Sequence, residues 1–295
     1  MENIVVGDNL GKDLARELDW PYLAVENRVF PDGEVQPKLE KETSINKAVL
    51  ILQKKKSENI NSYIIRFCLV ARKLRELAKK VYGIMPYFPY ARQDKVFREG
   101  EPLSNKYIAE MVEKNLDVFL TCNIHEHRKK IGEIFNIPAY NISLFDDLGA
   151  LFDEKNIDNP LVIGPDKESG KFIAEFCQSF PAERITLIKQ RDVKTGDINF
   201  LFPPRNITGR EIIIVDDVVS TGHTIMGVAE MARNQGVKSI SFAFVHLLFE
   251  DKILERLRKF QPKRIVYSNT LENSSYSLDV SLPIANFLRK TLNFK

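Results

Sequence analysis

The sequence predicts an α/β fold of two similar blocks, each a mostly parallel sheet flanked by helices. Three observations carry this reading. Short β-branched and apolar runs alternate with segments whose apolar residues recur at three- and four-residue spacing. The runs are apolar throughout rather than alternating, as in strands covered on both faces. The pattern also occurs twice, on either side of a break near residues 141–151, with no low-complexity linker between the halves. A chain of 295 residues has room for two domains of about 150 residues each.

In the first block, strands are expected over 3–6, 48–53, 81–86 and 118–122. A helix is expected over 63–80, where Ile64, Ile65, Cys68, Leu69, Leu74 and Leu77 fall mostly at helical spacing, and a second over 105–115. In the second block, strands are expected over 161–164, 185–189, 212–215, 240–245 and 265–267, with helices over 167–179, 224–235 and 252–260. A last helix over 282–292 closes the chain. The expected domains are residues 1–143 and 144–280, with 281–295 packing back on the first. Val49-Leu50-Ile51-Leu52-Gln53 and Ile212-Ile213-Ile214-Val215-Asp216 are each an apolar strand running into a polar loop, a weak sign of internal duplication.

The composition is that of an ordinary globular protein, 44% hydrophobic and 28% charged, which excludes disordered and fibrous classes. The 43 Lys+Arg and 40 Asp+Glu leave a net charge of +3. That balance gives no bulk case for nucleic-acid binding, so an anionic partner needs a local site. The lysine and arginine runs at 54–56 and 128–130 read as solvated faces. Cys68, Cys122 and Cys177 lie far apart without a CxxC pair, which suits reduced thiols in a cytoplasmic protein. Met1-Glu2-Asn3-Ile4 has no basic stretch leading into an apolar one, so no signal peptide is expected. The longest apolar run, near 242–249, is too short to span a bilayer, so no membrane partner is expected. Three Asn-x-Ser/Thr matches, at Asn141, Asn206 and Asn273, read as chance hits.

The strongest local signal is the segment from Ile212 to Thr224, in which Asp216 and Asp217 follow an apolar strand and Ser220-Thr221-Gly222-His223-Thr224 opens a helix. Open parallel sheets hold ligands at such carboxyl ends. Backbone N–H groups, the helix dipole and the hydroxyls converge there on an anion, and Gly222 permits close approach. An acid pair beside a phosphate cradle suits a sugar phosphate, with the carboxylates meeting ribose hydroxyls directly or through Mg²⁺. The pattern resembles the PRPP-binding loop shared by type I phosphoribosyltransferases and ribose-phosphate pyrophosphokinases.

Two further segments separate those classes. Phe30-Pro31-Asp32-Gly33-Glu34 is a turn holding an aromatic and two acids. Pro89-Tyr90-Ala91-Arg92-Gln93-Asp94-Lys95 mixes cations that grip polyphosphate with groups that meet a base. Together they resemble the ATP-site motifs of ribose-phosphate pyrophosphokinases (PRPP synthetases), which phosphoribosyltransferases lack. The resemblance covers nearly the whole chain and implies two type I phosphoribosyltransferase-like domains.

It further implies transfer of the β,γ-diphosphoryl group of ATP to ribose 5-phosphate, with Mg²⁺ as cofactor. Phe30, Asp32 and Glu34 match a loop that reaches a neighbouring subunit's ATP site, which implies a homo-oligomer, a dimer or higher. Arg92, Gln93, Asp94 and Lys95 fall in the ATP segment, and His125 matches the histidine at Mg²⁺–ATP. Asp166 matches an acid near ribose and metal, so the implied metal residues are His125 and Asp166. Lys189 and Arg191 match the basic pair of the catalytic loop. Asp216, Asp217, Ser220, Thr221, Gly222, His223 and Thr224 match the ribose 5-phosphate loop. The sequence departs from the commonest pattern at several points. Asn123 replaces an acid, as in archaeal members. Lys167-Glu168-Ser169-Gly170 replaces a Gly-Gly pair, His223 stands at a usually small position, and Ser62 and Arg66 stand where many relatives carry acids.

The alternatives are a type I phosphoribosyltransferase, against which Arg92–Lys95 speaks, and a non-catalytic regulatory relative, against which Lys189, Arg191 and His125 speak. A Walker A loop fails at 164–171 on glycine spacing and on Phe172. His125 and His127 have no cysteine partners for a structural zinc site, and His246, inside an apolar run, reads as a core residue.

Overall fold

A computed structural model describes residues 1–126, 128–152, 157–191, 198–201 and 206–294, with the backbone alone at 189–191 and 198–201. The chain divides into two units. Unit 1 is Met1–Ser143, Thr270–Glu272 and Val280–Lys295, and unit 2 is Leu144–Asn269 and Asn273–Asp279.

The sheet of unit 1 runs, edge to edge, β3 (Val35–Leu39), β2 (Tyr22–Val29), β1 (Glu2–Gly7), β4 (Ile45–Ile51), β5 (Ala78–Met85), β6 (Val118–Cys122) and β7 (Ala139–Ile142). All pairs are parallel except the β2–β3 hairpin. Its helices are α1 (Asn9–Leu18), α2 (Ile60–Leu77), α3 (Ser104–Glu113), α4 (Ile131–Ile134) and α9 (Ser281–Leu292). The apolar run Ala48–Ile51 is fully enclosed in the middle of this sheet. Gly7 ends β1 beside it, where a Cβ would lie 2.2 Å from the Ile51 carbonyl oxygen. Asn59 caps α2 by accepting the N–H groups of Asn61 and Ser62 at 3.0 and 2.8 Å, satisfying donors the first turn leaves open. Phe294 after α9 stacks on Trp20 at 4.9 Å and meets Tyr82 edge-on.

The sheet of unit 2 runs β14 (Arg264–Tyr267), β13 (Ser239–Leu247), β12 (Glu211–Val219), β8 (Pro160–Gly164) and β9 (Glu183–Thr186), all parallel. Helices α5 (Phe145–Gly149), α6 (Gly170–Ser179), α7 (His223–Asn234) and α8 (Glu250–Arg258) belong to it. A separate antiparallel pair is formed by β10 (Ile188–Arg191) and β11 (Ile198–Leu201).

The two sheets share one winding. The first strand (β1, β8) leads through a helix (α1, α6) to a neighbour on one side (β2, β9). The chain then resumes on the other side (β4, β12) and continues outward. Strand order therefore reverses at β1/β4 and at β8/β12, and such switch points open a crevice beyond the carboxyl ends. The two apolar strands paired in the sequence, at 49–53 and 212–216, hold equivalent places.

Several elements differ from the sequence reading. The helix expected over 63–80 ends at Leu77 and passes directly into β5, so Lys79 and Lys80 lie on a strand. The helix expected from 167 starts at Gly170, because Ser169 is engaged by Asp166. The strand expected over 185–189 is split. β9 ends at Thr186, and Ile188 opens the separate hairpin. The strand over 212–215 runs on to Val219. Strands β2, β3, β7 and β11 and helices α1, α4 and α5 were not expected.

At the unit 1 switch point lies a buried ionic cluster. Arg66 is wholly enclosed. Its Nε and Nη2 donate to the two carboxylate oxygens of Glu58 at 2.8 and 2.9 Å, and Nη2 also donates to the Gln53 carbonyl at 2.6 Å. Asp8, at the end of β1, accepts the Gln53 N–H at 2.8 Å and lies 3.9 Å from Arg66 Nη1. Burial pushes the Asp8 carboxyl up to about 6, against the pull of the Gln53 N–H and Arg66. The folded chain thus holds this proton more tightly than the unfolded chain does. Its contribution to stability falls as pH rises from the ordinary carboxyl value, 3.8, to about 6, by on the order of 3 kcal/mol. Asp8→Asn keeps an acceptor for Gln53 and removes the ionisation. Urea unfolding between pH 4 and 7 is expected to show a flatter stability profile for the variant. Parallel profiles would contradict the assignment.

Candidate active site

In unit 2, β8 stops at Gly164 while β12 continues to Val219 beside β13, with Asp216 opposite Phe244 and Val219 opposite Leu247. Asp216 and Asp217 therefore project past the end of β8, on the stretch of β12 that has lost its neighbour on that side. The chain leaving β8 turns at Pro165-Asp166 and supplies a third acid. Asp166 Oδ1 accepts the Ser169 N–H at 3.0 Å, and the Ser169 hydroxyl receives the Asp166 N–H at 3.3 Å. Gly164 is required for this turn, since a Cβ there would lie 2.1 Å from Ser169 Oγ. The Asp216 carboxyl is held well above the usual range, first by burial and then by the negative charges of Asp217 and Asp166. Three acids at one strand edge repel one another, and a cation or hydroxyl donors relieve that repulsion.

The loop Ser220–Gly222 joins β12 to α7. Gly222 has φ +73° and precedes the first turn of α7, to which Thr224 belongs. From α8, Arg256 Nη1 donates to the Thr221 carbonyl at 2.6 Å and pins the loop. Thr221 and His223 are exposed, while Ser220 and Thr224 are half-buried. The N–H groups of a helix start and flanking hydroxyls are the groups that can hold an anion, and here they lie a few residues from the acid pair.

Lys189 and Arg191 lie on β10, opposite Phe200 and Ile198 of β11; their side chains fall outside the described residues. The hairpin is rooted near the acids, for the N–H of buried Leu187 bonds to the Gly164 carbonyl at 3.0 Å.

In unit 1, Phe30–Glu34 forms the tip of the β2–β3 hairpin. Phe30 N–H bonds to the Glu34 carbonyl and Gly33 N–H to the Phe30 carbonyl, both at 2.9 Å. Asp32 Oδ1 accepts the Glu34 N–H at 3.2 Å, and the Arg28 guanidinium covers the Phe30 ring at 4.6 Å. Asp32 and Glu34 are exposed.

The segment 92–95 follows β5 after a tight turn in which Tyr90 has φ +61° and its carbonyl accepts the Gln93 N–H at 2.9 Å. Arg92, Gln93 and Lys95 are exposed. Asp94 differs from them, since its carboxylate is buried and accepts from Arg128 Nη1 at 2.8 Å. His125, beyond β6, is half-buried in a braced loop. Asn141 accepts the Ile124 N–H at 3.0 Å and donates to Glu126 at 3.1 Å, and Glu126 accepts the Ile131 N–H at 2.8 Å. His127 lies outside the described residues.

Ser169, Asn141, Arg128 and Arg256 are supporting residues that the sequence reading missed. Asn141 read as a chance glycosylation match and Arg128 as a solvated face, and only the folded chain pairs them. Among the described residues, no group of three or more His, Cys, Asp or Glu is arranged to hold a metal ion, and no helix is long and apolar enough to cross a membrane.

Residues 5–115 match the family model for the N-terminal domain of ribose phosphate pyrophosphokinase, and residues 131–281 match that for the phosphoribosyl transferase domain. The ribose-phosphate pyrophosphokinase of Methanopyrus kandleri is 32% identical over 286 residues, covering 95% of this chain and 94% of its own. That of Methanobrevibacter smithii is 30% identical over 306 residues, covering 97% and 100%. The chain belongs to the ribose-phosphate pyrophosphokinase family. A crystal structure of phosphoribosylpyrophosphate synthetase from Mycobacterium smegmatis aligns with a TM-score of 0.83 over 100% of both chains at 21% identity, which shows the fold. The two units are accordingly the paired phosphoribosyltransferase-type domains of a ribose-phosphate pyrophosphokinase fold.

Within that family frame Gly222 is a sharp test of the unit 2 loop. A Cβ on it would sit 2.7 Å from Met226 Cε and 3.1 Å from Ile253 Cδ1, on a backbone at φ +73°. Gly222→Ala is expected to cost about 1–2 kcal/mol of stability, measured by urea unfolding. Unchanged stability would show that the turn does not depend on this glycine.

Proposed function

We propose that the chain transfers the β,γ-diphosphoryl group of ATP to the C1 hydroxyl of ribose 5-phosphate, giving PRPP and AMP. One observation carries the reading. The acid edge and anion cradle at the unit 2 switch point occur in one chain with the Phe30–Glu34 and Arg92–Lys95 segments, which resemble ATP-site motifs that phosphoribosyltransferases lack.

The Ser220–Thr224 loop and the first N–H groups of α7 bind the 5-phosphate. Asp216 and Asp217 accept ribose hydroxyls and fix the sugar. Arg92, Gln93, Lys95 and His125 hold ATP. The anomeric oxygen attacks the β-phosphorus in line, the bond from that phosphorus to the α–β bridging oxygen breaks, and AMP leaves. Lys189 and Arg191 neutralise the charge that gathers on the bridging oxygen. No covalent enzyme intermediate is needed, so catalysis rests on positioning and charge stabilisation.

Mg²⁺ fits the donors on unit 2. Burial, then the charges of Asp217 and Asp166, raises the Asp216 carboxyl, so Asp166 lies near Asp216 and the two offer the oxygen ligands a hard cation takes. Mg²⁺ is usually held by one or two carboxylates together with substrate phosphates, which suits an acid edge without a closed cage. Asp166 would hold it on unit 2 and His125 would meet its ATP complex on unit 1. When bound it supplies charge neutralisation at the phosphate oxygens.

The exposed hairpin tip with Phe30, Asp32 and Glu34 would serve a neighbouring copy, making the enzyme a homo-oligomer. Sedimentation under assay conditions is expected to show an assembly, and a fully active monomer would contradict it. Three cysteines outside any disulfide suit a cytoplasmic setting.

ATP labelled at the β-phosphorus tests the reaction. The label is expected to leave the nucleotide and travel with the sugar. Label retained in ADP would mean ordinary phosphoryl transfer and would overturn the reading.

A further inference from the structure

Within segment 92–95, exposure runs out, out, in, out. Arg92, Gln93 and Lys95 face solvent, while the Asp94 side chain is 2% exposed. Its Oδ1 receives Arg128 Nη1 at 2.8 Å, and its Oδ2 is enclosed without a hydrogen-bond partner among the described residues. A carboxylate this enclosed is costly unless paired, and here the cation comes from a different loop. Strands β5 and β6 are parallel neighbours, Met85 lying opposite Thr121. The loops leaving their carboxyl ends therefore start side by side, one carrying Arg92 and Gln93, the other His125. Arg128 lies three residues beyond His125 on that second loop. The first loop is fixed at its start by the Gln93–Tyr90 bond and later by Asn105 N–H on the Gln93 carbonyl at 3.3 Å. Cys122 N–H meets the Pro86 carbonyl at 3.2 Å where the two loops begin, and the Asp94–Arg128 pair supplies a side-chain tie further along.

We propose that Asp94 and Arg128 form a strut that sets the spacing between the Arg92–Gln93 segment and the His125 segment, and that Asp94 is a positioning residue rather than a nucleotide contact. The inference rests on the reading of Arg92, Gln93 and His125 as nucleotide-binding residues. It also explains why an acid sits among cations facing an anionic ligand. Turned outward it would repel the phosphates; turned inward it holds the cations' loop.

The test uses the full chain and calorimetric titration with ATP and Mg²⁺, which needs no turnover, alongside titration with ribose 5-phosphate and thermal unfolding. Asp94→Asn and Arg128→Met are each expected to weaken ATP binding about tenfold, as loosened positioning does. Ribose 5-phosphate affinity should stay within about twofold. The double variant is expected to bind no more weakly than the weaker single one, because both remove the same tie. Arg128→Lys, at a half-exposed position, keeps the charge and is expected to recover most of the loss even where Asp94→Asn folds poorly.

ATP affinity unchanged in folded variants would reduce the pair to a structural role and overturn the proposal. A large loss in Asp94→Asn with none in Arg128→Met would make Asp94 a direct contact and overturn it too. A wild-type chain that binds no ATP would also sink it. A chain that binds ATP with this pattern yet forms no PRPP would instead sink the proposed reaction and leave the strut standing.

Discussion

Lys189→Ala is expected to lower turnover by about 10²–10³, equivalent to roughly 3–4 kcal/mol of transition-state stabilisation. Arg191→Ala should do the same. The charge these residues meet, on the bridging oxygen, develops only as the β-phosphorus bond breaks. Their loss should therefore appear in kcat far more than in the KM for either substrate. The backbone supports the assignment, because β10 begins one residue after Leu187, whose N–H is bonded to Gly164, and Gly164 ends the strand that leads to Asp166. Steady-state kinetics on both variants measures the effect. Turnover of Lys189→Ala within about threefold of wild type would remove the role assigned to it.

Arg66→Ala is expected to destabilise the chain by about 3–5 kcal/mol, the cost of leaving buried carboxylates without their cation. Arg66 bridges Glu58 and the Gln53 carbonyl and faces Asp8, all at the unit 1 switch point. The guanidinium stands where the equivalent crevice of unit 2 gathers Asp166, Asp216 and Asp217. Urea unfolding near pH 7 gives the loss, and adding Glu58→Gln and Asp8→Asn is expected to return much of it. A loss below about 1 kcal/mol would show that the cluster is not the tie its hydrogen bonds indicate.

The central parallel strands were legible because each is a largely continuous apolar run, whereas the parallel strand β7, with Tyr140 and Asn141, was not. Ala48–Ile51, Val118–Cys122 and Ile212–Val215 can only be buried. The hairpin β2–β3 was not legible, because polar residues such as Glu26, Arg28 and Gln36 break the apolar pattern. Helix α2 read on into β5 because Ala78-Lys79-Lys80 has good helical propensity, which pairing with β4 overrides. At the candidate site the motif residues were legible as residue types in order. What holds them was not. Ser169 under Asp166, Arg256 on Thr221, Asn141 beside His125 and Arg128 on Asp94 act through folding that brings loops together. Each is an ordinary polar residue in the sequence. Asp94 shows the limit most clearly, since its place in a run that resembles an ATP-site motif says nothing about which way its carboxylate turns.

The central claim is diphosphoryl transfer, and one incubation tests it most directly. Purified protein is given ATP, Mg²⁺ and ribose 5-phosphate, and the nucleotides are resolved by chromatography. The account predicts AMP that forms only when the sugar is present, matched mole for mole by PRPP. Sugar-dependent ADP, or no nucleotide product from a folded chain that binds both substrates, would contradict it.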